Sequence, residues 1–453
     1  MQGQRTIDVA RLIEERRFDR FNYGLIVISW LITVFDGFDQ MMISFTAPYI
    51  RDQFGLTKPE IGWLVSWGLA GMMAGGFFFS WVADRIGRRP TVIATAFGFG
   101  ILTFATAFAQ SYTQLLVLRF LDGLAIGGML PLAWALNIEF APARLRSTVV
   151  TVIMMGYSFG SALAGPLTNW LAPTHGWQAV YMAGGIGTLA CAALLLAFLP
   201  ESLRFLVTRR LRPAVVAGLV NRLEPGLGAV YTDRFVLGDE VAAPARFHVR
   251  QLFAGALARI TPLLWAGYVA SSLAVYFLAS WTPILLEELS FSRQTAAWMA
   301  SAGSIVGAVG GLLIMRFTDR QGPGAVALYP TLAVPVLLLA GSGLIGHEAF
   351  LGVQLLISLL VSGAHYGVHS IAGIYYPSAI RASGAGWATS VAKLGAVVGP
   401  ILGGYLLASG MPVVRNYALL AACPALLCLC LLGIARVVRG GTPAARPEAL
   451  AAS

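Results

Sequence analysis

The sequence predicts an all-α integral membrane protein with twelve transmembrane helices in two parallel six-helix repeats. Three observations carry this expectation. Of 453 residues, 57% are hydrophobic and only 11% are charged, whereas soluble domains carry roughly 25% charged residues. Apolar runs of the roughly 20 residues needed to cross a hydrocarbon core recur along the whole chain. The second half then repeats the first at an almost constant spacing.

The runs fall near 23–46, 61–83, 91–110, 113–138, 147–171 and 178–199, and again near 257–285, 295–317, 324–346, 350–373, 384–408 and 417–438. Between the two sets, Glu201 to Arg250 is Arg-rich and punctuated by proline. It reads as a linker with some amphipathic helix, too polar and short for a core of its own. The expected organisation is an N-terminal segment 1–22, a bundle 23–200, a linker 201–256, a second bundle 257–438 and a tail 439–453.

The formal net charge of +10 would suit a nucleic-acid partner, but the placement of the cations argues against one. Arg51, Lys58, Arg293 and Arg415 fall in outer loops, Arg119 and Lys393 fall inside spans, and all the others gather at one face. That is the positive-inside bias, which places both termini and the linker in the cytoplasm. Residues 1–21 mix Arg5, Arg11, Arg16, Arg17 and Arg20 with acids and have no apolar core before Tyr23, so no cleavable signal peptide is expected. Cys191, Cys423, Cys428 and Cys430 sit in apolar runs and are assigned to packing, with neither a disulfide nor a metal framework.

The repeat can be read by subtraction. Asp84-Arg85 recurs as Asp319-Arg320, and Pro142 with Arg146 recurs as Pro377 with Arg381, each pair 235 residues apart. Gly160 and Gly395 keep the same spacing, while Gly165-Pro166 and Gly399-Pro400 are 234 apart. Six spans per half give both halves one orientation, so the repeat axis runs along the membrane normal, as in carriers with a midplane site. An ATP-driven pump would need a phosphate loop ending in Gly-Lys-Ser/Thr, and the chain contains no Gly-Lys dipeptide.

A charge inside a span costs at least about 2.5–3.5 kcal/mol on insertion scales, so intramembrane ionisable residues are functional candidates. They are Asp36, Asp39, Arg119, Asp122 and Lys393, with His365 and His369 beside them. Asp36 and Asp39 share one helical face and lie at a depth similar to that of Arg119. A carboxyl caught between desolvation and a nearby cation can load and release a proton; a fixed ion pair to Arg119 is the alternative. Asp122, three residues after Arg119, can pair with it along the helix or join the coupling. Lys393 reads either as the counter-charge of a substrate carboxylate or as a snorkelling or internally paired lysine. His365 and His369, four apart, can contact a proton or the substrate, or form a satisfied polar pair. No carboxylate or thiol accompanies them in that span, which argues against metal. Phe38, Tyr157, Tyr276, Trp281 and Trp387 can sandwich a planar ring or simply pack.

The loop Asp84-Arg85-Ile-Gly87-Arg88-Arg89 and the span Arg119-Phe-Leu-Asp122-Gly123 resemble signatures of the major facilitator superfamily, although Ser80 stands where the first usually begins with Gly. Asp36-Gly37-Phe38-Asp39, Glu139-Phe-Ala-Pro142, Pro200-Glu201-Ser202-Leu203-Arg204 and Tyr376-Pro377 through Gly384 are similar to its aromatic acid:proton symporter family. Lys393 stands where that family is expected to carry Arg, keeping the charge but losing the planar fork.

The resemblance implies proton-coupled uptake of small aromatic carboxylates, of the benzoate or hydroxybenzoate type, by alternating access. The protein would be a multi-pass, monomeric carrier in a bacterial inner membrane. Its partners would be a carboxylate, protons and lipid, with no cofactor other than the coupling proton. Another organic acid or a sialic-acid-like metabolite is the alternative cargo, and proton-driven efflux the alternative direction. The resemblance further implies a cytoplasmic latch at Asp84 and Arg88, while Arg85, Glu139, Arg144, Glu201, Arg204, Asp319 and Arg381 at helix ends either join it or form ordinary interfacial salt bridges.

Overall fold

The computed structural model describes residues 5–16, 18–238, 248–321, 323–376 and 380–440. The first half contains α1 (Val9–Glu15), α2 (Arg20–Phe54), α3 (Lys58–Ile86), α4 (Arg88–Thr106), α5 (Tyr112–Glu139), α6 (Arg146–His175) and α7 (Trp177–Phe198). The linker carries α8 (Leu203–Thr208) and α9 (Pro213–Leu223). The second half contains α10 (Leu257–Glu288), α11 (Arg293–Gln321), α12 (Leu328–Gly341), α13 (His347–Tyr375), α14 (Arg381–Ala408), α15 (Val414–Leu420) and α16 (Ala422–Gly440). Among the described residues, eleven helical stretches are long and apolar enough to span a membrane, with α15 and α16 forming one of them. The 19-residue α4, whose first turn carries Arg88 and Arg89, completes the twelve.

The repeat reaches down to individual contacts. A Cβ on Gly160 would collide with the Val34 carbonyl of α2 and crowd the Phe38 amide. A Cβ on Gly395 would collide with the Val269 carbonyl of α10 and crowd the Leu273 amide. Each residue of the second set lies 235 positions after its counterpart in the first. Gly75 abuts the Leu124 carbonyl and Gly310 the Leu359 carbonyl, again at the same offset. Glycine is required at these crossings because only a missing side chain lets two helix backbones touch. The α2·α6 and α10·α14 pairs, and the α3·α5 and α11·α13 pairs, therefore share one register.

Two compact units cut across these halves. The first comprises 1–39, 70–160 and 178–244; the second comprises 40–69, 161–177 and 245–453. The long α2, α3 and α6 are thus each divided, with residues 40–54, 58–69 and 161–175 in the second unit. Inside that unit Ser66 donates to the Val397 carbonyl at 2.7 Å. Gly62 allows α3 to approach the Pro400 carbonyl closely.

The first unit also holds the N-terminal segment against the linker, where the sequence suggested two separate pieces without a core. Strand β1 (Thr6–Asp8) pairs in parallel with β2 (Arg234–Val236). Asp8 caps α1 through the Ala10 and Arg11 amides and accepts from Gly238 at 3.0 Å. Burial pushes the Asp8 carboxyl up, but these three amides and the Arg11 charge together bring it below its ordinary value. Ile7, Val9 and Ile13 join Val216, Val220 and Leu223 of α9 in a core continuous with the first bundle. These apolar residues are too few and too scattered in sequence to announce that core.

Candidate substrate and proton site

The centre of the first unit is ionic. The Arg119 guanidinium on α5 donates to both oxygens of Asp39 on α2, at 3.1 and 2.8 Å. Its Nη1 also lies 3.0 Å from Asp122 Oδ2. Thr103 of α4 donates to the other Asp122 oxygen at 3.1 Å. Asp36, one turn before Asp39, is also completely buried. The close α2·α6 crossing fixes this geometry, since Gly37 sits on the Tyr157 carbonyl and leaves no room for α2 to shift. The structure thus brings Asp39, Arg119 and Asp122 into one network, with Asp36 on the same helical face as Asp39.

Asp36, Asp39 and Asp122 are all buried, with Arg119 the cation that meets Asp39 and Asp122, and an uncompensated buried ion costs several kcal/mol in general.

The centre of the second unit holds a pair of histidines. His365 and His369 of α13 meet at 3.3 Å between their Nε2 atoms. Ser271 Oγ of α10 lies 3.1 Å from His365 Nδ1, and the Tyr268 ring packs edge-on against His369 at 4.7 Å. Lys393 is partly buried on α14, two residues before the Gly395 that abuts Val269 and Leu273. It therefore stands within about one helical turn of the level of Ser271.

The repeat assigns counterparts to these positions. Adding 235 to Asp36 gives Ser271, and adding it to Arg119 gives Gln354. Gln354 is as buried as Arg119 and donates to Thr282 Oγ1 at 3.3 Å. Sequence reasoning overlooked Ser271, Gln354 and Thr103. The first two could have been found by applying the repeat offset to the charged positions, whereas Thr103 is one hydroxyl among many in apolar helices.

The candidate aromatics separate. Phe38 is buried and packs over Gly184. Trp281 is buried and donates to the Pro400 carbonyl at 2.9 Å, joining α10 to α14. Trp387 is 41% exposed and stacks on Trp265, on the α14 face that also carries exposed Leu394, Val398 and Tyr405. These residues form one exposed row along α14, on which Lys393 does not lie. Tyr157 and Tyr276 remain partly exposed on α6 and α10.

At the helix ends near the linker, Arg88 pairs with Glu139, and the Ser202 hydroxyl donates to Glu139. Glu201 accepts from the Arg88 and Arg89 amides, both at 3.1 Å. This arrangement depends on the backbone of Gly87, whose φ of +106° lies where L side chains are strained. Arg85 instead covers the Trp81 ring at 3.7 Å. Asp84 receives Arg209 through its backbone carbonyl, and Arg144 is exposed. Arg204 is partly buried at the start of α8. The side chains of Asp319 and Arg381 lie outside the described residues.

A second ionic cluster lies in the other unit, at residues the sequence placed in outer loops. Lys58 meets Glu288 at 2.6 Å. Arg293 reaches Asp52 at 3.4 Å and Glu287 at 3.3 Å, and lies over the Tyr49 ring.

The family model described as Major Facilitator Superfamily matches residues 29–261 and 264–452. The chain belongs to the major facilitator superfamily. Within it, relatives include transporters of aromatic acids. The gallate transporter of Pseudomonas putida is 33% identical over 91% of this chain and 92% of its own length. The 4-hydroxybenzoate transporter PcaK of Acinetobacter baylyi is 30% identical, covering 89% of this chain and 88% of its own. Among solved structures, the partially occluded inward-open xylose transporter XylE from E. coli superposes with a TM-score of 0.70 at 16% identity, covering 94% of this chain and all of that one. A bacterial homologue of the lysosomal transporter Spinster gives 0.67, covering 94% and 98%. The superfamily member described here is a multi-pass membrane transporter, and not an enzyme.

Proposed function

We propose that this transporter takes up small aromatic carboxylates, of the benzoate and hydroxybenzoate type, by symport with protons, with both termini and the linker in the cytoplasm. The observation that supports the reading most is the fully buried Arg119 between Asp39 and Asp122, with Asp36 one turn away. The excess of carboxyls over cations there favours a bound proton, and a proton that can leave is a coupling ion. An anion entering alone would be opposed by the inside-negative potential at about 2.3 kcal/mol per charge per 100 mV. One accompanying proton removes that opposition.

Lys393 supplies the positive charge for the substrate carboxylate. No hydrogen bond or ion pair occupies its ammonium among the described residues, which leaves its three donors available. The substrates of the gallate and 4-hydroxybenzoate transporters support an aromatic acid here. Arg88, Glu139 and Glu201 form the cytoplasmic latch of the first half, with Asp84 and Arg85 at the same helix end. Cysteine labelling from outside at Arg234 in a Cys-light variant should fail, and efficient labelling there reverses the assigned orientation.

The test of transport is uptake of radiolabelled 4-hydroxybenzoate into proteoliposomes, with and without an inward proton gradient. Accumulation only with the gradient supports symport. Equal uptake in both conditions removes proton coupling, and export under the same gradient makes the protein an antiporter.

A further inference from the structure

The repeat register places Ser271 where the first half has Asp36, and Ser271 is bonded to one member of a histidine pair. We propose that Ser271, His365 and His369 form a second proton-binding site, in the second half, so that each turnover carries two protons with one monocarboxylate. The inference rests on the symport reading above and adds a stoichiometry to it.

The geometry carries this assignment. Two neutral imidazoles hold two N–H groups between them, and at 3.3 Å only one proton fits between the facing Nε2 atoms. If His365 donates to His369, the His365 Nδ1 is a bare lone pair, and the Ser271 hydroxyl donates to it. If His369 donates instead, His365 carries its proton on Nδ1 and donates to Ser271. A hydroxyl serves both arrangements because it is donor and acceptor at once. The pair therefore has two tautomeric states joined through one side chain. A third proton fills the remaining Nδ1, so the resulting imidazolium keeps the single Nε2–H···Nε2 bond to its neighbour and His365 Nδ1–H donates to Ser271. Protonation thus fixes the Ser271 hydroxyl as an acceptor between α13 and α10.

The surroundings leave the pair to respond to a substrate. From α10 it faces Tyr268, with Tyr276 further along the helix, and α14 carries Lys393 near the same level. From α12, Tyr329 packs at Gly363, two residues before His365; Tyr366 is the neighbour on α13 itself. On the described faces of α11 and of the turn before α12, Ile314 and Val326 pack at Gly367. No carboxylate lies within ion-pairing distance of either imidazole among the described residues. Among the described residues, no acid near the pair offsets an imidazolium until an anionic cargo arrives. Binding of the carboxylate then favours the extra proton, and by linkage the proton favours the carboxylate to the same degree.

The charge balance is explicit. One proton travels on the carboxyl network of the first half, one on the histidine pair, and one negative charge travels on the substrate. One net positive charge therefore moves inward.

Proteoliposomes test this through the voltage that stops net flux of 4-hydroxybenzoate at equal pH. With a tenfold inward substrate gradient and one net charge per cycle, flux stops at about 59 mV, inside positive. His365→Gln and His369→Gln, made separately and checked for wild-type thermal stability, should transport more slowly with no voltage that stops the flux, because one proton per anion is electroneutral. Wild-type uptake that ignores voltage overturns the second proton site while leaving symport intact, and needs no variant. A voltage response retained in both histidine variants overturns it as well. Uptake that ignores the proton gradient altogether sinks the symport reading and this inference with it.

Discussion

Where α2 crosses α6, the first half buries Asp36; where α10 crosses α14, the second half buries Ser271. The two crossings share one backbone register, down to which carbonyl each glycine touches. What they hold is different. One holds a guanidinium between carboxyl groups, and the other offers two imidazoles, a hydroxyl and a lysine on the neighbouring helix. Close packing leaves the glycines no freedom, whereas a polar position tolerates any group whose hydrogen bonds and charge are met locally. Duplicated architecture therefore does not imply duplicated chemistry. The ionic half suits proton storage, and the half that carries Lys393 suits an anionic cargo.

The comparison breaks most visibly at Arg119. Arg119→Ala leaves two buried carboxylates without their cation, and removing one partner of such a pair costs about 3–5 kcal/mol. Gln354→Ala, at the matching position, removes one neutral hydrogen bond, worth about 0.5–1.5 kcal/mol. Thermal unfolding in one detergent should rank the two clearly, and equal losses would remove the distinction between the halves.

Asp36→Asn mimics the protonated carboxyl without titrating. Uptake driven by a proton gradient should disappear while counterflow exchange persists. Asp39→Asn should impair uptake too, through its bond to Arg119. Normal accumulation in both single variants and in the double would move the coupling site to Asp122 or the histidine pair.

Lys393→Ala should weaken binding of a benzoate-type acid by about 1.5–3 kcal/mol, the range for hydrogen bonds to charged groups. Its uncharged amide should be little affected. Calorimetry on both ligands decides the matter, because equal losses mean that Lys393 does not read the carboxylate.

The glycines test the sameness of the halves. Gly160→Ala and Gly395→Ala each force a Cβ into a facing carbonyl, and overpacking of this kind costs about 1–3 kcal/mol. The two losses should agree within about 1 kcal/mol. The smallest effect is expected at the partly exposed Lys58–Glu288 pair, where Lys58→Ala should cost no more than about 1 kcal/mol.

Much of this was legible in the sequence. The spans follow from length and hydropathy, and the offset of 235 that links Asp84 to Asp319 also links Val34 to Val269 in space. Arg119 and its acids stood out because charge is rare in apolar runs. The aromatic candidates were less legible, since hydropathy does not say which way a tryptophan points. Trp281 proved to be a buried tie and Trp387 a residue of the exposed face. Least legible was the pairing of β1 with β2, where Thr6-Ile7-Asp8 and Arg234-Phe235-Val236 are too short to signal strands and too distant to signal each other.

That pairing has a consequence for how the chain is made. Thr6 leaves the ribosome well before its partner Arg234, which follows only after six membrane-spanning helices and the linker helices α8 and α9 have been synthesised. At about 5–20 residues per second, β1 waits on the order of ten seconds or more for the strand that receives it. The N-terminal segment must stay soluble and unpaired through that interval, which its arginines and acids allow. When β2 emerges, the pairing ties the first residues of the chain to the last part of the linker and completes the first unit, while the second half is still being made.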